Sequence, residues 1–215
     1  MGRQRPRPGA MIIDIHSHHP APYPEGIVSC QPDEFSPMEG QVYSLGLHPW
    51  HLDARTLAPS LLRLEEMARE TCVAAIGECG LDALRGAPMW VQVNTFKAQA
   101  LIAEKLRKPL IIHDVRAHEG ILGVHKDVAP SVPWILHGFR GKPSVAAMFI
   151  SRGIALSFGE KFNAETLRLT PPDMIYAETD ESLLPISGII TLLSESAGRN
   201  LRPDIERNIN TLLRI

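Results

Sequence analysis

Eight short runs of strand-forming residues recur along this chain between turn signals, and they constrain its fold more than any other feature. They are MIIDI (11–15), GIVSC (26–30), VYSLG (42–46), CVAAIG (72–77), PLIIH (109–113), WILHG (134–138), GIALSFG (153–159) and MIYAET (174–179). Most are apolar at consecutive positions, as expected for parallel strands covered on both faces. Helical periodicity lies between the later runs. Leu57, Leu61, Leu64 and Ala68 form one stripe over 57–69, and Val93, Phe96, Ala100 and Ala103 form another over 92–106. Pro143 suits the first turn of a helix running to 152, which Gly153 can end. Strand–helix alternation implies a parallel sheet. Eight strands in one domain predict an α/β fold, a single (β/α)8 barrel of the TIM type.

Two connections depart from that plan. Residues 17–25 and 31–41 carry Pro20, Pro22, Pro24, Pro32 and Pro37. Each is near the minimum of roughly a dozen residues for a parallel crossover. The first two outer helices are therefore expected to be missing or reduced to turns. After the eighth strand, 186–198 and 203–213 can supply closing helices.

The chain has 215 residues, 44% of them hydrophobic, enough for one domain spanning 11–215. The first ten, MGRQRPRPGA, are basic and proline-rich without an apolar signal core; they read as a disordered tail, and Met11 offers an alternative start. A net charge of −2 gives no global basic footprint for tight binding to long nucleic acid. Cys30, Cys72 and Cys79 form no Cys-x-x-Cys pair and read as reduced thiols of a cytoplasmic protein. No apolar run is long enough to span a membrane.

The chemistry begins at DIHSHHP (14–20). Along an extended chain His16 and His18 share a face, and His19 points the other way. That spacing alone is a weak metal signal. In barrels, sites form at the C-terminal ends of strands. Those ends hold His16 and His18, His48 in GLHPW, Glu78 in AIGECGLD, His113 in PLIIHD, His137 in ILHGF and Asp180 in AETDE. Imidazole and carboxylate together suit zinc, manganese and similar ions. Six ligands (His16, His18, Glu78, His113, His137, Asp180) exceed one catalytic zinc, which keeps about three and an open position. They suit two divalent ions, with Glu78 bridging them, a water activated between them near neutral pH, and Asp180 moving a proton.

The set DIHSH, GLHP, AIGECGLD, FKAQ, PLIIH, ILHGFRG and ETD, in this order, resembles the TatD family of metal-dependent hydrolases, within the amidohydrolase-like barrels. The resemblance runs from residue 12 to about 185. It implies a divalent-metal barrel that hydrolyses phosphodiesters, typically as a deoxyribonuclease. By motif, it implies that His16 and His18 bind one metal with Asp180, that Glu78 bridges, and that His113 and His137 bind the second. Zinc is the first choice of ion, with magnesium or manganese as alternatives. The chain departs from the family at Pro20, where an acidic residue is usual; at GLDALRG, which keeps Asp82 but lacks the usual aromatics; and at HGFRG in place of HCFSG.

The expected roles follow. Asp180 and Glu78 are catalytic. His48, Arg140 and Lys142 contact substrate, although HPW can instead simply shape a turn. Arg116 is a further cation that could hold phosphate. His19, His51, His118 and His125 are surface or packing residues, and Cys79 is a core thiol. The expected substrate is DNA or a short nucleotide, bound weakly, with no membrane and no obligate protein partner. The alternative is a phosphomonoester, amide or lactone hydrolysed on the same two-metal barrel.

Overall fold

A computed structural model describes residues 12–19 and 25–214. The proposed tail 1–10, Met11 and the prolines at 20, 22 and 24 lie outside the described residues. Eight strands form one sheet in chain order, each parallel to the next. They are β1 (Asp14–Ser17), β2 (Gly26–Cys30), β3 (Val42–Leu45), β4 (Val73–Asp82), β5 (Leu110–Val115), β6 (Trp134–Leu136), β7 (Ile154–Phe158) and β8 (Ile175–Ala177). The first and last strands meet where the site lies. Asp180 N donates to the His16 carbonyl (2.9 Å), and His18 N donates to the Asp180 carbonyl (3.0 Å). The barrel expected from the eight runs is borne out.

Among the described residues there are seven α-helices: α1 (Leu57–Met67), α2 (Met89–Leu106), α3 (His118–Val128), α4 (Pro143–Ile150), α5 (Ala164–Leu169), α6 (Ile186–Ala197) and α7 (Arg202–Leu212). The β2–β3 connection holds only turns, as its prolines require. The two stripes face inward as the periodicity dictates: Leu64, Ala68, Phe96, Ala100 and Ala103 are fully buried. Pro143 opens α4, which ends at Ile150 and not at 152. Helix α2 starts three residues earlier than its stripe, at Met89 directly after Pro88.

Helices α3 and α5 carry no clear sequence signal. Gly120 and Gly123 lower the helix propensity of α3. Yet a Cβ on Gly120 would press within 2.6 Å of the Leu81 side chain, so the glycine lets α3 lie close on β4. Helix α5 has six residues, too few to show a period, and is marked only by its Asn163 cap, which accepts from Thr166 N (3.0 Å).

Strand β4 decides the site. The apolar run predicts an end at 77, but the strand continues to Asp82. Its register against β5 shifts between Ile76 and Cys79, where three steps on β4 match two on β5. One extra residue is thereby inserted between Ile76 and Cys79, the stretch that carries Glu78, as in a bulge that re-aims a side chain. Beyond it, Gly80 has φ +148°, and a Cβ there would run into the His113 carbonyl oxygen. Only glycine lets β4 and β5 approach this closely beneath His113.

Candidate metal centre

Seven of the side chains singled out by sequence converge at the C-terminal mouth. Glu78 is central and 7% exposed. Its Oε1 lies 2.7 Å from His113 Nδ1, 2.8 Å from His137 Nε2 and 3.1 Å from His48 Nε2. Its Oε2 lies 3.4 Å from His16 Nε2 and 3.6 Å from His18 Nε2. Asp180 Oδ1 faces the same pair, at 3.7 and 3.6 Å. One carboxylate thus has a different set of imidazoles on each oxygen.

The barrel closure holds the first set in place. Asp180 bonds through its backbone to the His16 carbonyl and to His18 N, which joins β1 to the segment after β8, and Asp14 locks that seam. Its carboxylate accepts from His16 N (3.2 Å), Thr179 N (3.1 Å) and Thr179 Oγ1 (2.6 Å). Burial pushes the Asp14 carboxyl up to about 7 against these bonds. Asp180 sits at φ +53°, a left-handed conformation that aspartate tolerates better than most residues.

The second set is held by carboxylates behind it. Glu178, fully enclosed, accepts from Gly138 N (2.7 Å) and faces His137 Nδ1 (3.4 Å). His137 thus stands between two carboxylates, with Nε2 2.8 Å from Glu78, and against the cost of burial the charges of Glu78 and Glu178 hold its protonated form well above the usual histidine range; a metal bound at Nε2 would displace that proton and leave the Nδ1–H on Glu178. Asp82 Oδ2 faces His113 Nε2 (3.3 Å) and accepts from Trp50 Nε1 (2.7 Å). Sequence reading missed Asp14, Glu178 and Trp50 as site residues. The signal for the first two was present: each stands two positions before a metal-type residue on an extended segment.

Electrostatics follow the packing. Burial alone would raise the Glu78 carboxyl, but the His137 charge and the bonds from His113 and His137 hold it well below the ordinary range. Burial lowers His48 despite Glu78. His48 Nδ1 accepts from Trp50 N (3.2 Å), so the neutral ring carries its proton on Nε2 and donates toward Glu78. That tautomer makes His48 a hydrogen-bond donor into the mouth.

The residues fit a metal. Both ring nitrogens of His16 are fully buried without a hydrogen-bond partner, an arrangement that costs free energy unless something else occupies the lone pair. Donor atoms of His16, His18 and Glu78 lie within 4.8 Å of one another, as do those of His16, His137 and Asp180, and of His48, Glu78 and His113. Of the remaining predicted residues, Arg140 lines a neighbouring cavity of about 240 Å³ with Lys161, Glu178 and Asp180. Lys142 precedes α4 and lines neither that cavity nor the mouth. His51 meets Gln31 (3.0 Å), His118 pairs with Asp114, and His125 packs on Trp134 (4.9 Å). Cys79 is buried, its thiol 3.7 Å from the Ile111 carbonyl.

Fold and cluster define a class: an α/β barrel with a histidine–carboxylate metal-type centre at its C-terminal mouth. Comparison with known proteins narrows it. The family model described as TatD related DNase matches residues 36–188, and the chain belongs to the TatD family. It is 32% identical over 152 residues to the 3'-5' ssDNA/RNA exonuclease TatD of Erwinia amylovora, covering 65% of this chain and 58% of that one. It is 28% identical over 162 residues to an uncharacterized metal-dependent hydrolase of Haemophilus influenzae, covering 68% and 61%. The chain thus spans about three fifths of the length of these curated relatives. The fold matches that of YJJV, a TatD homologue from Escherichia coli, with a TM-score of 0.81, 20% identity and coverage of 96% of this chain and 99% of that one. Among the described residues no helix is long and apolar enough to cross a membrane.

Proposed function

We propose that this chain is a metal-dependent phosphodiesterase acting on single-stranded DNA or short nucleotides, with its metals held by His16, His18, Glu78, His113, His137 and Asp180. The observation that carries this reading is the division of Glu78, Oε2 toward His16 and His18 and Oε1 toward His113 and His137. A carboxylate placed so suits two ions. Zinc fits the imidazole-rich donors, and magnesium or manganese are the alternatives. The bound ions would polarise the phosphoryl group and lower the pKa of water.

The chain's own residues supply the rest. Asp180 is 29% exposed where Glu78 is 7% exposed, so Asp180 is the carboxylate able to take the proton of the attacking water. Water oxygen bonds to phosphorus, the bond from phosphorus to the leaving oxygen breaks, and the proton passes through Asp180 to that oxygen. His48 donates from Nε2 to a phosphoryl oxygen. Arg140, which lines the adjoining cavity with Asp180, orients the phosphate by a charge-assisted bond. The nuclease relatives support a nucleic acid substrate. Residues 11–215 act as one domain, and three free cysteines suit a cytoplasmic setting.

The test is a metal-reconstituted panel of single-stranded DNA, dinucleotides, phosphomonoesters, amides and lactones. Cleavage of the first two supports the reading. Turnover of lactones or amides with DNA left intact refutes it.

A further inference from the structure

Beside the metal-type cluster stands an exposed aromatic that the proposed chemistry leaves unused. Trp50 lines the mouth cavity, about 360 Å³, together with Glu78, His113, His137 and Asp180. It is 38% exposed, whereas Trp134 is 1% exposed. Its indole is fixed: Nε1 donates to Asp82 Oδ2 (2.7 Å), and the His48 ring packs edge-on at 4.7 Å. The Arg85 guanidinium lies 3.9 Å from the indole centroid. Arg85 makes no ion pair among the described residues, so its charge is free for a ligand.

The loop after β4 is built to hold this stack. Asp82 Oδ1 accepts from Leu84 N (2.8 Å) and Arg85 N (3.0 Å). The Gln92 side-chain amide donates to the Asp82, Arg85 and Ala87 carbonyls. Gly86 has φ +98°, and a Cβ there would run into the Pro49 carbonyl oxygen, so the loop lies directly on the turn that carries Trp50. A rigid aromatic with a stacked arginine, at the rim of a phosphodiesterase mouth, has one matching partner in an anionic substrate: a flat base. Sugar and phosphate do not stack. Bases stack on aromatic rings and on guanidinium planes alike.

We propose that the Trp50–Arg85 stack is a nucleobase platform, which binds an unstacked base adjoining the phosphodiester held at the mouth. The inference rests on the phosphodiesterase reading and adds the part of the substrate recognised. Every base offers a π-face, so recognition depends on the presence of a base and not on its identity. A duplex keeps its bases stacked and is disfavoured.

The test compares a thymidine trinucleotide with a trimer of the same backbone whose bases are replaced by abasic sites. In a Trp90→Phe background, phosphorothioate versions are titrated against the metal-loaded protein while tryptophan emission is followed. The base-bearing trimer quenches the emission and binds about tenfold tighter than the abasic one. In steady-state assays of cleavable trimers, the same ratio appears in kcat/KM, and it falls to about one in Trp50→Leu and partway in Arg85→Ala. A merely structural Trp50 would lower both substrates together and leave the ratio intact, which overturns the proposal. Equal binding of both trimers without quenching by the Trp90→Phe protein overturns it without any platform variant. Failure to cleave either trimer refutes the phosphodiesterase reading instead, and the quenching titration still decides the platform.

Discussion

Glu178→Gln is expected to weaken metal binding at the His137 side while leaving the fold in place. Glu178 touches no predicted donor atom facing the mouth; it faces His137 Nδ1 at 3.4 Å and takes the Gly138 N–H at 2.7 Å. Glutamine keeps a carbonyl oxygen for Gly138, so the shorter bond and the backbone survive. What is lost is the negative charge behind His137, which fixes its tautomer and makes Nε2 a better donor. Removing such a partner typically lowers metal affinity by about 10- to 100-fold. The 3.4 Å separation is long for a hydrogen bond, which places the effect near tenfold, or about 1.4 kcal/mol. The assay is calorimetric titration of zinc into metal-free protein, run beside thermal melts with and without metal. The metal-free melting temperature should change little, and the stabilisation gained on adding zinc should shrink. Unchanged zinc affinity would refute the orienting role. An equal fall in both melting temperatures would show that Glu178 serves only the fold.

Asp180→Asn should lower kcat by about 10²- to 10⁴-fold with most metal retained, because Asn keeps one oxygen but cannot accept the proton; metal analysis alongside kinetics checks this. Arg140→Ala should cut kcat/KM on dinucleotides by about tenfold, the loss of one charge-assisted contact, with unchanged metal content and a shallower salt dependence. Gly80→Ala should cost about 3 kcal/mol or more in urea unfolding, since its Cβ meets the His113 carbonyl and its φ of +148° is strained for any other residue. Asp14 gives a pH signature. Its folded carboxyl, at about 7, lies above the ordinary 3.8, so the folded state keeps the proton longer. This term is most favourable below about pH 4 and fades as pH rises toward 7, with a slope of up to about 1.4 kcal/mol per pH unit. Asp14→Asn should flatten that slope in metal-free denaturation curves; an unchanged slope would place its origin elsewhere.

The sequence by itself determined the barrel and the strands that carry the metal-type residues. Buried parallel strands must be apolar on both faces, and the helices over them must show a stripe, so both leave one-dimensional patterns in Ile, Val, Leu and Ala spacing. The positions of His16, His18, His113 and His137 could be read because a run's end coincides with the barrel's mouth. The tertiary structure alone decided three things. It extended β4 past residue 77, because the register shift and Gly80 depend on how closely β5 approaches. It formed α3 against its glycines, because close packing on Leu81 outweighs local propensity. And it placed Asp14 on Thr179, Glu178 on His137 and Arg85 on Trp50. Two of these contacts join residues 165 and 41 positions apart. A periodic pattern records which face a residue takes along its own strand, whereas such contacts depend on which strands become neighbours when the barrel closes.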